Sequence, residues 1–262
     1  MLEIVDHGPV REVRMARPPA NAFSPEFLVA LEDAIAAAPG AGARAIVLSG
    51  APGLFSAGLD VPQLLALDRP AIEIAWGWFL ALVHSLATSP VPIAAAITGH
   101  ATAGGCVLPL YCDARIMARG RTGKDGAFQE FKIGVNEVQV GLPMPSIILP
   151  ALARLVGERQ MEILATTAAL IPASEALRLG LVDELAPLEE TVPRAAAWCE
   201  SLLALPATAY ARTRALARAP LIAAVEAARQ VDATVFVDDW FQPEAQAALR
   251  ALVDRLSKRR SS

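Results

Sequence analysis

Short apolar segments of strand length alternate with longer segments of helical periodicity through most of this chain. Leu2 to Met15 alternates loosely around Gly8-Pro9 and predicts a hairpin of two strands. Ala45 to Leu48 and Ile93 to Ile97 are apolar throughout and predict buried strands. Between them, apolar residues recur at helical spacing: Ile72, Trp76, Phe79, Leu80, Val83 and Leu86. This order of strands and helices predicts an α/β fold with a layered core and crossover connections.

Capping residues and prolines predict where several helices begin. Ser24, followed directly by a proline, predicts the start of a helix that ends at Pro39-Gly40. Asp60, followed by Val and Pro, predicts the cap of a further helix. Because Pro109 lacks an N–H and is tolerated best in a first helical turn, another helix is expected to begin near Gly104.

The composition changes near the C-terminal end of the chain. After about Pro206 the residues are rich in Ala and Arg, which predicts helical segments broken at Pro220 and Pro243. The sequence therefore predicts a core over residues 1–200 and a separate helical region over residues 201–262.

Composition and charge exclude several classes of protein. With 262 residues, 54% of them hydrophobic, the chain can bury a large core, and its net charge of −4 argues against a nucleic-acid partner. The longest uncharged run, Ser85 to Cys112, contains several prolines and glycines, so a strand, a turn and a helix explain it better than a membrane span. The three cysteines have neither disulfide nor zinc spacing, no metal is expected, and no targeting segment is visible. We therefore expect a cytoplasmic protein without a membrane partner.

One carboxylate stands among apolar and amide residues, in the segment from Ile133 to Gly141. Glu137 has no cationic residue nearby in this segment. Burial there disfavours the ionised form and raises the pKa toward neutrality, where a general base works best. A surface glutamate at a strand end is the alternative interpretation, and the segment alone does not decide between them.

Two glycine-bearing segments upstream favour the catalytic interpretation. Gly58, in the segment Phe55 to Asp60, would let the backbone turn so that neighbouring N–H groups point into a cleft. Gly104 follows the strand at Ile93 to Ile97 and starts a predicted helix, whose first N–H groups have no partner within the helix. Two such loops facing each other would form an oxyanion hole, although small-residue turns often serve only close packing. Common serine-hydrolase, nicotinamide, P-loop and zinc signatures are missing from the sequence.

In this order, the segments closely resemble the crotonase superfamily, also called the enoyl-CoA hydratase/isomerase family. The resemblance spans almost the whole chain. Its motifs are Asn21-Ala22-Phe23-Ser24, Phe55 to Asp60, Ala103 to Cys106 with Cys112-Asp113, Asn136-Glu137, and Ser174-Glu175-Ala176-Leu177 to Gly180-Leu181-Val182-Asp183. The resemblance implies a spiral of ββα turns, with residues 201–262 as a C-terminal helical region for assembly into a homotrimer or a dimer of trimers.

The same resemblance implies a ligand and the residues that touch it. An acyl-CoA thioester would bind with its carbonyl between the backbone N–H groups of Leu59 and Gly104, and Glu137 would be the catalytic acid–base residue. No separate cofactor is implied, because coenzyme A is part of the substrate. The expected substrate-contacting residues are Ala22, Ala57, Gly58, Asp60, Val61, Val107 and Asn136.

Val107 is an informative departure from the pattern of the hydratases. Hydratases of the family carry a glutamate at the matching place and use two carboxylates to add water. Only the second acid is kept here, as Glu137, in a pattern that looks like that of the Δ3,Δ2-enoyl-CoA isomerases. One base is sufficient to move a proton from C2 to C4. The sequence thus predicts an isomerase, with a hydratase, a thioester hydrolase or decarboxylase, and a non-catalytic acyl-CoA-binding subunit as alternatives.

Two other groups of residues are expected to lie outside the chemistry. The three histidines are interpreted as surface or loop residues: His7, His84 and His100. The basic stretch Arg119 to Lys124 has the charge to touch CoA phosphates, but a mobile, solvated loop is the preferred interpretation.

Overall fold

A computed structural model describes the backbone of residues 1–261 and the side chains of residues 1–258. The strands are β1 (Leu2–His7), β2 (Val10–Met15), β3 (Ala45–Ser49), β4 (Gly53–Ser56), β5 (Ile93–Ile97), β6 (Gly99–Thr102), β7 (Ala114–Ala118), β8 (Gly120–Thr122), β9 (Phe128–Glu130), β10 (Lys132–Gly134), β11 (Ile171–Pro172) and β12 (Glu184–Ala186). The helices are α1 (Pro25–Ala37), α2 (Val61–Leu64), α3 (Arg69–Thr88), α4 (Gly104–Leu110), α5 (Ile148–Val156), α6 (Glu158–Thr167), α7 (Ala173–Leu179), α8 (Thr191–Leu203), α9 (Ala207–Trp240) and α10 (Pro243–Ser261). Short 3₁₀ helices span Glu137–Val140 and Leu188–Glu190.

Two sheets organise the core. The larger has the order β1-β2-β3-β5-β7-β12, in which β1 and β2 form an antiparallel hairpin and the later neighbours are parallel. The smaller has the order β11-β10-β6-β4, with β6 parallel to both of its neighbours. A strand of the larger sheet, a strand of the smaller sheet and a helix follow one another twice, as β3-β4-α2 and β5-β6-α4. This repetition confirms the predicted α/β spiral of ββα turns.

Local sequence signals set the helix starts as predicted. The Ser24 side chain accepts a hydrogen bond from the Phe27 N–H at 3.2 Å, and the proline after Ser24 occupies the first turn of α1. Asp60 caps α2 in the same way, accepting from the Gln63 N–H at 3.3 Å. Each cap satisfies an N–H group that has no partner within its helix.

Helix α3 is a central packing element. By length and composition alone it could cross a membrane, but nine of its residues are buried against the rest of the chain, which is the pattern of a core helix. The uncharged run from Ser85 to Cys112 contains the end of α3, both strands β5 and β6, and α4. The prediction of a strand, a turn and a helix in this run is therefore confirmed.

Helix α9 corrects one prediction. It continues unbroken through Pro220, whereas the predicted break at Pro243 is real and marks the start of α10. Pro220 removes the hydrogen bond to the Leu216 carbonyl, but both residues are exposed, so water can satisfy that group. The buried residues of α9 join the main hydrophobic core rather than a separate one. The predicted boundary between a core (1–200) and a helical region (201–262) falls inside α8 and stays a prediction.

Buried ion pairs anchor the first half of α9. The Arg214 guanidinium donates to both oxygens of Asp113, at 2.9 and 2.8 Å, and Arg218 donates to the same carboxylate at 3.0 Å. Asp113 also accepts from the Ile93 N–H at 2.8 Å, which ties the pairs to β5. The remaining Arg218 donors reach backbone carbonyls, so this buried charge is both paired and hydrogen-bonded.

Candidate active site

A largely apolar cavity of about 350 Å³ lies beside the point where the two glycine loops meet. Its walls come from α2 and the loop before it, from α3, from the start of α4, from the segment that begins at Asn136, and from α9 and α10. The cavity therefore joins parts of the chain that are distant in sequence, and concave apolar sites of this size bind small molecules.

Glu137 is the buried carboxylate that borders this cavity, as the sequence predicted. Its residue is 8% exposed and it begins the 3₁₀ helix that follows β10. Among the described residues, its Oε2 atom has no hydrogen-bond partner. Burial raises the pKa of the Glu137 carboxyl to about 7, while its own backbone N–H opposes the rise. The side chain is poised to gain or lose a proton near neutral pH.

The two glycine loops touch at their backbones. Gly58 has a φ of +83°, and a Cβ built on it would lie 2.8 Å from the nitrogen of Gly104. A Cβ on Gly105 would lie 2.2 Å from the Ser56 carbonyl oxygen. Only glycine fits these contacts, and the close approach brings the N–H groups of both loops to the same wall of the cavity.

Two backbone N–H groups in these loops have no partner in the part of the chain that the structure describes. The Phe23 N–H donates to the Gly58 carbonyl and the Asp60 N–H donates to the Phe23 carbonyl, so the N–H of Leu59 between them is directed away from Phe23. The Gly104 N–H stands at the start of α4, where no preceding turn supplies an acceptor. Leu59 and Gly104 both line the cavity. Paired free donors of this kind can stabilise an oxyanion.

A strained residue holds the second loop in place. Ala103, directly before Gly104, has a φ of 48° and a ψ of −129°, which L-residues with a side chain rarely adopt. Its N–H donates to the Gly134 carbonyl at 3.0 Å, and its own carbonyl accepts from Cys106 and Val107 at the start of α4. These bonds on both sides keep the loop in the geometry that leaves the next N–H free.

Buried polar side chains support the first loop. The Asn21 side chain donates to the Phe55 carbonyl at 3.0 Å, and the Ser56 hydroxyl donates to the Asn21 carbonyl at 2.8 Å. The same hydroxyl accepts from the Gly58 N–H at 3.1 Å. Because each group is satisfied by a neighbour, the turn at Gly58 is rigid before any ligand binds.

The structure brings most of the predicted site residues together. The cavity lining includes eight of the ten: Ala22, Ala57, Leu59, Asp60, Val61, Gly104, Asn136 and Glu137. Gly58 does not line it, because its backbone is turned against Gly104. Val107 does not line it either, since it is fully buried one turn into α4. These two positions act on the site from behind its wall.

Asp60 carries an ion pair at the edge of the cavity. Arg17 approaches it at 2.8 Å, and another nitrogen of the same guanidinium donates to the Ala22 carbonyl at 2.8 Å. Since Asp60 is also the cap of α2, its charge is used in holding the loop together. This arrangement leaves Glu137 as the buried carboxylate without an ionic partner at the cavity.

An aromatic wall faces the loops. The Trp76 ring stacks on Phe236, with centroids 3.7 Å apart, and on Phe79 at 4.9 Å, while Trp240 lies 5.9 Å from Phe236. All four border the cavity. The helical spacing of Trp76 and Phe79 indicates only a core, and nothing local in the sequence places Phe236 or Trp240 beside Glu137.

Helix α10 contributes two leucines to the cavity lining. Leu252 and Leu256 reach the lining, and Ala248 packs against Gly141, which directly follows the 3₁₀ helix of the acid. Gly141 has a φ of +80°, and a Cβ there would lie 2.9 Å from the Ala248 Cβ. The last helix thus rests on the segment that carries Glu137.

Residues that the sequence analysis set aside lie elsewhere. None of the three histidines is among the described residues that line the cavity. Gly120 to Thr122, which was expected to be part of a mobile loop, forms β8 and pairs with β9. The backbone hydrogen bonds between these two neighbouring strands outweigh the glycine and charge content that suggested a loop.

Comparison with known proteins identifies consistent relatives. The model of the enoyl-CoA hydratase/isomerase family matches residues 6–259. The chain is 29% identical to enoyl-CoA delta isomerase 1 of Homo sapiens over 251 residues, which covers 95% of this chain and 80% of the human protein. It is 33% identical to the probable enoyl-CoA hydratase echA17 of Mycobacterium avium over 205 residues, or 77% of this chain and 75% of that protein.

Solved structures give the same picture. The crystal structure of human mitochondrial delta3-delta2-enoyl-CoA isomerase superposes with a TM-score of 0.89 at 28% identity, and the match covers 98% of both chains. The relatives therefore carry names from two reactions, isomerisation and hydration, on one fold.

Proposed function

This chain belongs to the enoyl-CoA hydratase/isomerase family, and from that premise we propose that it isomerises 3-enoyl-CoA esters to the conjugated 2-enoyl-CoA. Glu137 removes a proton from C2 of the bound ester. The electron pair moves into the thioester carbonyl and gives a dienolate. Protonation at C4 by the same carboxyl then shifts the double bond to C2–C3 and restores the carbonyl. No water is consumed, and the enzyme returns to its starting protonation state.

The observation that carries this proposal is the presence of one buried acid at the cavity with an apolar residue in place of a second. Glu137 has a pKa near 7, so it can accept the C2 proton and return it at similar pH. Val107 is fully buried and offers no group that could hold or protonate a water. A site with a single proton carrier suits a transfer between two carbons of the same substrate.

Besides a proton carrier, the reaction requires donors that stabilise the negative charge on the thioester oxygen, and the free N–H groups of Leu59 and Gly104 supply them. Negative charge develops on the thioester oxygen only as the C2 proton leaves, so donors fixed at that oxygen favour the transition state over the bound substrate. Removal of one such donor typically costs about 3 kcal/mol of transition-state stabilisation. The supporting bonds of Asn21, Ser56 and Ala103 hold these donors in place in advance.

The acyl chain is proposed to lie along the aromatic wall. Trp76, Phe79, Phe236 and Trp240 offer an apolar surface, and Leu252 and Leu256 cover it from the opposite side. A dry environment strengthens every electrostatic interaction with the thioester and keeps the dienolate from solvent protons. Coenzyme A enters as part of the substrate, and we propose no separate cofactor.

Product analysis tests the proposal and its alternatives in one experiment. Purified protein is mixed with a 3-enoyl-CoA and, separately, with the 2-enoyl-CoA, and the ultraviolet band of the conjugated thioester is followed with mass spectrometry of the products. Isomerisation gives growth of the band without a change of mass. A product heavier by one water from the 2-enoyl ester means a hydratase, and free CoA or loss of carbon dioxide means a hydrolase or decarboxylase.

Binding without turnover would overturn the catalytic proposal altogether. A non-catalytic acyl-CoA-binding subunit would bind both esters and release them unchanged. Under that outcome the affinity would vary little when Glu137 is replaced. The raised pKa of Glu137 favours catalysis, because a binding protein gains nothing from a buried carboxylate that costs free energy to ionise.

We further propose assembly as a homotrimer or a dimer of trimers in the cytoplasm. Helix α9 leaves large apolar side chains on its outer face: Val231 is 54% exposed and Val235, one turn further, is 46% exposed. Exposed apolar residues along one helix suit an interface between copies of the chain. Light scattering coupled to size exclusion at several concentrations measures the number of copies, and a monomer throughout would contradict this proposal.

A further inference from the structure

The backbone N–H and carbonyl of Ile147 are both held by buried side chains. Its N–H donates to Oδ2 of Asp232 at 2.7 Å, and its carbonyl accepts from the Tyr111 hydroxyl at 2.6 Å. The adjacent Ser146 donates to Asp232 Oδ1 through its N–H at 3.1 Å and its hydroxyl at 2.9 Å. Asp232 is 2% exposed and Tyr111 is fully buried. We call these four residues the Ile147 clamp.

The clamp connects the parts of the site that carry the chemistry. Tyr111 directly follows α4, the short helix that begins at Gly104. Ile147 ends the segment that begins with the 3₁₀ helix of Glu137 and precedes α5. A rigid connection from α4 to Ile147 therefore relates an oxyanion donor to the base.

Asp232 extends the connection to the aromatic wall. Its backbone carbonyl accepts from the Trp76 indole N–H at 2.8 Å. One turn further along α9, Phe236 stacks on the same Trp76 ring. The residue thus joins α3, α9 and the start of α5 behind the cavity.

The donors around Asp232 are neutral. Two backbone N–H groups and one hydroxyl donate to this carboxylate at the start of α5. A buried carboxylate held by neutral donors is less favourable for stability than an apolar residue of similar size. Such a group can instead fix a single arrangement of the segments around it.

We propose that Asp232 and Tyr111 are positioning residues that fix Glu137 relative to the N–H groups of Leu59 and Gly104. The inference rests on the proposed function, since it concerns the same site. Neither residue lines the cavity, so both act through the backbone of Ile147 and the segment before it. Loss of the clamp should loosen the placement of the base and admit water beside it.

Asp232→Asn and Tyr111→Phe test this inference. The amide presents an NH₂ group to at least one donor, and the phenylalanine removes only a hydroxyl. We expect kcat to fall by about tenfold or more and KM to change by less than about threefold, because catalysis is more sensitive than binding to sub-ångström placement. Tyr111→Phe is nearly isosteric and serves if Asp232→Asn does not fold.

The pH profile of kcat separates positioning from a loss of stability. Admission of water would lower the pKa of Glu137, so the acidic limb should move to lower pH in both variants. On α4, the Cys106 thiol is the titratable neighbour that interacts with Glu137, and burial and this carboxylate both hold its pKa well above its usual range. It stays neutral throughout, so the limb reports the carboxyl of Glu137.

Glu12→Gln is the matched control. Glu12 is a fully buried carboxylate outside the cavity lining that accepts from the Ser49 hydroxyl at 2.6 Å and from Arg14 at 2.9 Å. Its replacement should lower the unfolding temperature, yet kcat and its pH limb should stay at wild-type values. Wild-type kcat and pH limb in both clamp variants would overturn the inference. Equal losses in the control would reduce the clamp to a structural role, while a wild type that does not isomerise would overturn the proposed function first and the inference with it.

Discussion

The α-carbon of Gly58 and the amide nitrogen of Gly104 meet so closely that a single methyl group between them would lie 2.8 Å from that nitrogen. This contact joins the two loops whose N–H groups are proposed to bind the thioester oxygen. The distance between the loops, and therefore the placement of both donors, depends on a glycine that is not itself in the cavity lining.

Gly58→Ala is expected to lower kcat/KM by about a hundredfold, because displacement of the Gly104 N–H by a few tenths of an ångström misplaces an oxyanion donor. Gly42→Ala is the control, since Gly42 also has a positive φ, of 94°, but open space around it. Kinetics and thermal unfolding of both variants check the prediction. A kcat/KM of Gly58→Ala equal to that of Gly42→Ala would contradict the role of the loop contact.

Glu137→Gln is expected to abolish isomerisation while the fold and acyl-CoA binding persist, since the amide keeps the shape of the side chain but cannot carry the proton. The loss of kcat should be at least about 10³-fold. Glu162→Gln, at an exposed ion pair with Arg159, provides a control with the same chemical change. Turnover of Glu137→Gln within a few fold of the wild type would refute the role of this residue.

The pH dependence of kcat should follow the ionisation of Glu137, whose pKa is raised to about 7 by burial. The free base is the reactive form, so kcat falls as the pH drops below about 7 and reaches a plateau above it. Measurement of the initial rate from about pH 5 to about pH 9, roughly two pH units on either side of this pKa, locates the midpoint. A midpoint near the ordinary glutamate pKa would mean that the carboxyl is hydrated in the working enzyme.

Stability should change with pH through the same group, in the opposite direction. The folded state holds the proton of Glu137 more tightly than the unfolded chain does, since its pKa is raised from 4.5 to about 7. The stabilising contribution of the neutral form is complete below the unfolded pKa and is lost as the pH rises through about 7. The wild type should thus lose about 3 kcal/mol relative to Glu137→Gln over this window. Urea denaturation of both proteins at several pH values measures the difference, and parallel curves would contradict it.

Phe236→Ala is expected to enlarge the cavity beside Trp76 and shift selectivity toward longer acyl chains. The ratio of kcat/KM for a long ester to that for a short one should rise by about 10-fold, the effect of one to two methylene groups in an apolar pocket. A series of 3-enoyl-CoA esters of increasing length gives this ratio directly. Leu205→Ala, at an exposed residue outside the lining, should leave it unchanged.

Local sequence signals predicted the parts of the site that are built from neighbours along the chain. Ser24 and Asp60 cap helices where the sequence places them, because a cap needs only the next three residues. Helix α4 also begins at Gly104 as predicted, although Pro109 lies inside it and not in its first turn. The apolar and neutral neighbours of Glu137 suggested its burial, but only the two glycine segments upstream favoured this over a surface position. The strand and helix order fixed the layered α/β core.

Contacts between distant segments could not be predicted in this way. Phe236 and Trp240 reach the cavity only because α9 crosses α3, and the periodicity of one helix does not name its partner. The predicted break at Pro220 was wrong because exposure to water, a tertiary property, decides whether a helix tolerates a lost hydrogen bond. The close contact between Gly58 and Gly104 likewise depends on two loops that are distant in sequence.

The placement of Leu252 and Leu256 on the cavity wall couples the completeness of the cavity to the docking of α10. Both sheets, the glycine loops and the segment of Glu137 precede α10 in the chain, yet the cavity lacks one wall until that helix docks. A ligand that binds in the closed cavity would therefore favour the docked position of α10 and stabilise the fold against its detachment.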